Sequence, residues 1–422
     1  MKRIVLGGLL VLLACSAALS LWDRRAPETG GPAPRIAAGL QDPVARGAYL
    51  ATVANCRGCH TAPGGPAYAG GRAIPTRFGR FFGPNLTPDR ATGLGDWSAD
   101  DFWRALHDGR SRDGRPLYPV FPYTHYTRMT REDADALFAY LRTQPAVQRP
   151  SPAHEIDFPY DQRVLLHAWR ALFFSPGEQR TDPSKDEAWN RGAYLVQGLG
   201  HCGACHEARN ALGAVRSREK PAGGLVLDWY APSLDVASEA GVAHLPREAV
   251  VQLMRDGVTG GASTLGPMAE VVYDSLQHWQ AEDLEAMVAY LQALPPREAA
   301  PRGASLPRTH PGFVRGAALY AEHCADCHGE KGEGRTPSAP ALAGNRALTM
   351  ASPVNPIRVV LYGGYAPGTA GNPQPYGMPP YHAALNDGEI ADLLGYVRGA
   401  WGNEAPPVSD FEVTRQRTGP LW

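Results

Sequence analysis

The chain has no surplus of charge of either sign: 41 Lys and Arg face 42 Asp and Glu across 422 residues, for a formal net charge of -1. Its basic residues are scattered, so the electrostatic footprint of a nucleic-acid binder is missing and no nucleic-acid partner is expected. Cysteine is scarce. Of 7 cysteines, Cys15 sits in the N-terminal segment and the other six form three Cys-x-x-Cys pairs, each followed by His, so none is left for a disulfide framework. Windows that alternate with period two are few, which predicts mainly α domains. No nucleophile-base signature and no phosphate-cradling glycine loop is present, and Gly363-Gly364 reads as a turn. The length suffices for two to four domains, each with its own core.

What is present begins with Lys2 and Arg3, followed by an uncharged run from Ile4 to Trp22 and then Asp23, Arg24 and Arg25. This reads as an export signal or an N-terminal anchor. The run matches the roughly 20 residues that span a bilayer, which favours an uncleaved anchor with Trp22 at the interface. Lipidation at Cys15 in Leu12-Leu13-Ala14-Cys15 ranks second, and cleavage near Ala18 third. The expected location is the periplasmic face of a bacterial inner membrane.

One order of features then recurs three times, too widely spaced for a solenoid. The copies open on Arg46-Gly47-Ala48-Tyr49-Leu50, Arg191-Gly192-Ala193-Tyr194-Leu195 and Arg315-Gly316-Ala317-Ala318-Leu319. A Cys-x-x-Cys-His follows each, then Pro-x-Leu (Pro84, Pro232, Pro340). Helical apolar spacing marks a middle segment in each copy, Asp101 to Asp108, Arg247 to Asp256 and Pro356 to Tyr362. A closing amphipathic stretch carries Tyr140, Tyr290 or Tyr396, and Thr130 with Asp133 and Asn386 with Glu389 form capping-box patterns ahead of two of them. The division is a signal or membrane anchor over 1–22, a linker over 23–44, domain 1 over 45–143 and a connector over 144–187. Domain 2 then covers 188–294, a linker 295–311, domain 3 312–402 and a tail 403–422, expected to be extended. Within the connector, Phe158, Trp169, Phe173 and Phe174 are expected to pack between domains, a partner subunit being the alternative.

Cys56-x-x-Cys59-His60, Cys202-x-x-Cys205-His206 and Cys324-x-x-Cys327-His328 match the c-type haem attachment sequence. Two cysteines one helical turn apart point the same way, so both can add to the haem vinyl groups while the adjacent His reaches the iron. Zinc knuckles would orphan the third pair and give no reason for the following His. The cofactor expectation is therefore three covalently bound haems c. A haem His fixes its tautomer by donating its second ring nitrogen, and the carbonyls of Pro84, Pro232 and Pro340 are candidate acceptors. Met268 in Gly266-Pro267-Met268 and Met378 in Gly377-Met378-Pro379 are the candidate distal ligands, each just ahead of a closing helix. Copy one has Phe121 at that place, and Phe cannot coordinate iron; His125 is the favoured substitute and Met129 the other. His201 and His323 read as local polar residues at the haem edge. The rival reading is a haem enzyme, a peroxidase or small-molecule reductase, acting at an open first haem.

With these motifs the chain resembles the three-haem cytochrome c subunits of bacterial membrane-bound dehydrogenases for alcohol, gluconate, aldehyde and related substrates. The resemblance runs from Arg46 to Asn403, most specifically over Trp189 to Leu195, Leu199 to His206, Gly266 to Val272 and Trp401 to Asn403. It implies three tandem class I-like cytochrome c domains. It also implies an electron-transfer subunit, not an enzyme on its own, fed by a catalytic dehydrogenase subunit and discharging to ubiquinone or a terminal oxidase. Phe121 departs from the Met of the alcohol dehydrogenase members. The Phe-Pro-Tyr-x-His form looks like members that accompany molybdenum hydroxylases of the aldehyde or nicotinate type, with flavin or pyrroloquinoline quinone dehydrogenases as the alternative partners.

Overall fold

The computed structural model describes residues 40–215, 223–259, 262–298, 303–335 and 338–418. The anchor expected over 1–22, with Cys15, and most of the following linker lie outside them. One expectation is corrected here: among the described residues no helix is long and apolar enough to cross a membrane. The placement at the inner membrane has no structural support and is withdrawn.

The chain divides into two compact units, Met1–Ala204 with Arg209–Ser217, and Cys205–Ala208 with Arg218–Trp422. The division falls inside the second Cys-x-x-Cys-His motif.

In the first unit, helix Pro43–Val53 starts at Asp42, whose carboxylate accepts from Ala45 N, with Pro43 at the first turn where its missing N–H costs nothing. It crosses helix Arg131–Arg142 so closely that a Cβ on Gly47 would lie 1.9 Å from the Ala136 carbonyl oxygen. Leu50, Ala134, Leu137 and Leu141, each 1 % exposed, fill this crossing. Thr130 caps the second helix by accepting from Asp133 N, but only half of the expected capping box forms. The Asp133 carboxylate instead takes Arg46 at 2.6 Å and the Tyr194 hydroxyl at 2.5 Å. Burial, opposed by these two partners, holds the Asp133 carboxyl above its usual range.

The middle segment forms helix Ala99–Asp108, with a full Ser98–Asp101 capping box and Gly109 at φ +59° as its stop. Strands Ala73–Thr76 and Gly79–Phe82 pair antiparallel, Ala73 opposite Phe82, and the connector adds Glu155–Ile156 as a third strand, Ile156 opposite Gly79. The connector's helix Leu165–Phe173 buries Leu166 against Phe81 and Tyr118. Its Trp169 Nε1 donates to the Leu212 carbonyl at 2.9 Å. Much of this connector is thus part of the first unit's packing, although Phe158 is 81 % exposed.

The second unit repeats the crossing. Helix Pro311–His323 meets helix Asp387–Val397, and a Cβ on Gly316 would lie 2.1 Å from the Asp392 carbonyl oxygen. Tyr320, Ile390, Leu393, Leu394 and Val397 form the core with Ile357 and Leu361 of helix Val354–Tyr362. Here the capping box of Asn386 and Glu389 is complete. Helices Arg247–Asp256 and Ala281–Gln292 occupy the positions expected from spacing, and helix Pro267–Asp274 between them was not anticipated. Asn355 clamps Tyr230 of strand Trp229–Ala231 through both its amide atoms, accepting from Tyr230 N at 2.9 Å and donating to Tyr230 O at 2.8 Å.

The tail is not extended as expected. Ser409 and Glu412 form a capping box for helix Asp410–Arg417, which buries Val413 completely in the same core and pairs Arg417 with Asp387 at 2.5 Å. One apolar anchor in eight residues gives no readable periodicity, which is why the segment looks extended in sequence.

Candidate haem sites

Each motif is a short helical turn: Cys56–His60, Gly203–His206 after Cys202, and Ala325–His328 after Cys324. The rings of the three histidines meet the proline carbonyls: His60 Nδ1 lies 2.8 Å from Pro84 O, His206 Nδ1 2.7 Å from Pro232 O, and His328 Nδ1 3.0 Å from Pro340 O. A carbonyl oxygen only accepts, so Nδ1 carries the proton and Nε2 keeps a lone pair. Burial lowers all three pKa values, against a smaller raising effect of the proline carbonyl, and so favours the neutral, ligand-competent ring.

Close backbone approach makes this bond possible. A Cβ on Gly83 would lie 2.0 Å from Cys59 O, and one on Gly224 2.5 Å from Cys205 O, so the loop leading to the proline rests on the motif helix itself. In copy one Asn85 locks the loop: its Nδ2 donates to Val147 O at 2.7 Å and its Oδ1 accepts from Thr87 N at 2.9 Å.

None of the six motif cysteines is in a disulfide. Burial pushes the Cys56 thiol up to about 12 and that of Cys324 up to about 11, values at which neither is a thiolate at neutral pH. Among the described residues, no three His, Cys, Asp or Glu side chains converge as a metal-ligand set of the zinc-knuckle kind. A one-turn thiol pair beside an imidazole with its Nε2 lone pair available fits covalent haem.

The distal candidates separate. Met268 is the second residue of helix Pro267–Asp274 and is partly buried; Gly266 before it, at φ +57°, packs its α-carbon against Trp229, where a Cβ would come within 2.6 Å. Met378 pairs with Gly364 in a two-residue ladder and packs, with Cys324 and Leu342, on the third copy's core. In copy one Phe121 is partly exposed beside Tyr123 and Tyr126, whereas Met129 is wholly buried as core.

His125 lies in the short helix Tyr123–Tyr126 and is 8 % exposed. Its Nδ1 donates to the Gln197 carbonyl at 3.2 Å, and its buried Nε2 has no hydrogen-bond partner. Burial, then the neighbouring His201, pushes its pKa down to about 3, so the ring is neutral. Gln197 belongs to a π-helical turn, Leu195–Leu199, that leads into the second motif. The ring nitrogens of His125 and His60 thus hold different carbonyls, and no hydrogen bond joins the two residues.

Two features were not anticipated from sequence. The Tyr126 hydroxyl donates to Ala54 O at 3.0 Å, and the Tyr126 ring lies 5.3 Å from that of His201. The π-helical turn is the other; no residue type requires such a turn, so no motif announces it.

The cytochrome c family matches residues 44–145 and 313–401, which contain the first and third motifs. These domains, mostly helical, are cytochrome c domains. The chain is 35% identical over 399 residues to the cytochrome c subunit of the quinone-type alcohol dehydrogenase of Gluconobacter oxydans, covering 89% of this chain and 82% of that subunit. To the gluconate 2-dehydrogenase cytochrome c subunit of Pantoea cypripedii it is 34% identical over 381 residues, 86% of each. To a nicotinate dehydrogenase subunit of Pseudomonas putida it is 38% identical over 368 residues, but the match spans 86% of this chain and only 30% of that longer protein. The chain therefore belongs to the cytochrome c subunits of bacterial dehydrogenase complexes, and its part is electron transfer rather than substrate chemistry.

Proposed function

We propose that this chain is a three-haem electron relay built from three tandem cytochrome c domains. The haems are attached at Cys56, Cys59 and His60, at Cys202, Cys205 and His206, and at Cys324, Cys327 and His328. The observation that carries this reading is the threefold recurrence of an imidazole whose Nδ1–H is held by a proline carbonyl. Met268 and Met378 are the distal ligands of the second and third haems, where thioether ligation favours ferrous iron and a higher potential. His125 is the distal ligand of the first. Its support is a neutral ring, an Nδ1–H fixed by Gln197 and a buried Nε2 that bonds to nothing in the protein. Electrons arrive from a catalytic dehydrogenase subunit, of the molybdenum hydroxylase type by the Phe121-to-His125 pattern, and leave to ubiquinone or a terminal oxidase.

The test is production of the chain with a haem-maturation system, followed by mass spectrometry of its peptides and low-temperature EPR. Three haem-bearing peptides and three low-spin signals are expected. An unmodified Cys202–His206 peptide would refute the relay. His125→Ala should convert one signal to high spin and open that haem to CO. If the unaltered chain already binds CO at one haem and turns over peroxide, the first haem is an open catalytic site instead.

A further inference from the structure

We infer that Tyr126 is a positioning residue that braces the first two haem-attachment segments against each other, and so would hold the spacing over which haems attached at Cys56–His60 and at Cys202–His206 would exchange an electron. This rests on haem being attached at those two motifs.

Tyr126 touches the lead-in to both. Its hydroxyl donates to the carbonyl of Ala54, which is followed by Asn55 and Cys56. Its ring faces His201, the residue before Cys202. Asn55 at φ +47° and His201 at φ +41° both sit in the left-handed region, uncommon for non-glycine residues though Asn and His enter it more readily than most. The corresponding residue before the third motif is ordinary: His323 ends helix Pro311–His323 and lies outside the left-handed region. Copy three has a tyrosine in a related place, and the comparison is informative. The Tyr381 hydroxyl donates to His323 O at 2.8 Å and its ring faces His323 at 5.9 Å, so both of its contacts stay within one copy. Tyr126 keeps the hydroxyl contact at home and gives its ring to the next copy.

Other bonds fix the same junction. His125 Nδ1 holds the Gln197 carbonyl, and the Tyr194 hydroxyl accepts from Thr130 N at 3.1 Å while donating to Asp133. Tyr126 itself is 6 % exposed, so its ring has little freedom to leave His201. The two haems would supply transfer of a single electron, one iron oxidised as the other is reduced, with no bond made and no proton taken up.

The test uses the full chain with its haems attached, partly reduced by a flash-activated donor, and follows electron equilibration between the first and second haems. Tyr126→Leu should slow it several-fold and weaken the magnetic coupling between the two ferric haems in EPR. Tyr126→Phe keeps the ring and loses only the tether to Ala54. His201→Asn loses the ring and keeps a residue tolerant of left-handed φ. Each of these milder variants should slow equilibration less than Leu does, and they decide the matter if the Leu variant fails to mature. Phe and Asn variants with parent-like rates and coupling, all haems being present by peptide mass, would overturn the brace. Absence of haem from the Cys56 or Cys202 peptide would instead overturn the reading beneath it.

Discussion

Copies one and three cross their first and last helices in the same way, yet differ in what surrounds the crossing. In both, the glycine of Arg-Gly-Ala lies against a backbone carbonyl, of Ala136 or of Asp392, too near for any side chain. In both, the arginine before it reaches an aspartate on the closing helix, Arg46 to Asp133 and Arg315 to Asp392. The Asp133 side chain is 1 % exposed and shared with Tyr194, whereas that of Asp392 is 21 % exposed and its arginine 63 %. Copy one has turned a helix-crossing ion pair into a buried junction with the chain that follows. Copy three has kept it at the surface and used the tail helix to close its core.

The largest expected effect tests that contrast. Asp133→Ala removes the buried acceptor shared by Arg46 and the Tyr194 hydroxyl, leaving Arg46 with the exposed Glu132 alone, and should cost about 3 kcal/mol, while Asp392→Ala should cost under about 1 kcal/mol. Denaturant unfolding of the haem-loaded chain measures both, and equal losses would erase the distinction. Gly47→Ala and Gly316→Ala should each cost about 1–3 kcal/mol, alike in the two copies because the overlap is with backbone in both. A clear difference between them would mean that the crossings are not equivalent. Val413→Ala should cost about 2 kcal/mol through the cavity it leaves, and unfolding of copy one should not respond. The smallest effect belongs to the caps. Asn386→Ala, which removes a complete box, should lower stability by about 1 kcal/mol, and Thr130→Ala, which removes half of one, by no more than that.

The residues proposed to hold haem were the most legible part of the chain, because covalent attachment would impose a fixed spacing and a recurring proline marks the carbonyl that each histidine meets. The middle and closing helices were legible for another reason: each buries one face, so apolar residues recur with the helical period. What could not be read were contacts whose partners are far apart in sequence and chemically unremarkable. Tyr194 gives no sign that it will meet Asp133, nor does Tyr126 that it will reach both Ala54 and His201. The tail helix hides for the opposite reason, since it rests on Val413 alone and on a capping box whose significance depends on the core beside it. His125 is the intermediate case. Its residue type suggested a ligand, and its ring is held by Gln197 on the segment leading to the second motif, a contact that periodicity has no means to encode.

The imidazole-to-proline bond spans 24 residues in copy one, 26 in copy two and 12 in copy three, yet closes on the same two atoms each time. What is constant is an end-point, not a path. Closing a loop of doubled length costs only about 0.6 kcal/mol in chain entropy, less than a typical hydrogen bond contributes. The length of the segment between histidine and proline is therefore free to vary, provided that its last residues still rest on the motif helix as Gly83 does on Cys59. Copy one uses that freedom to carry a hairpin whose Phe81 joins a core of its own, while the imidazole stays aimed as it is in copy three.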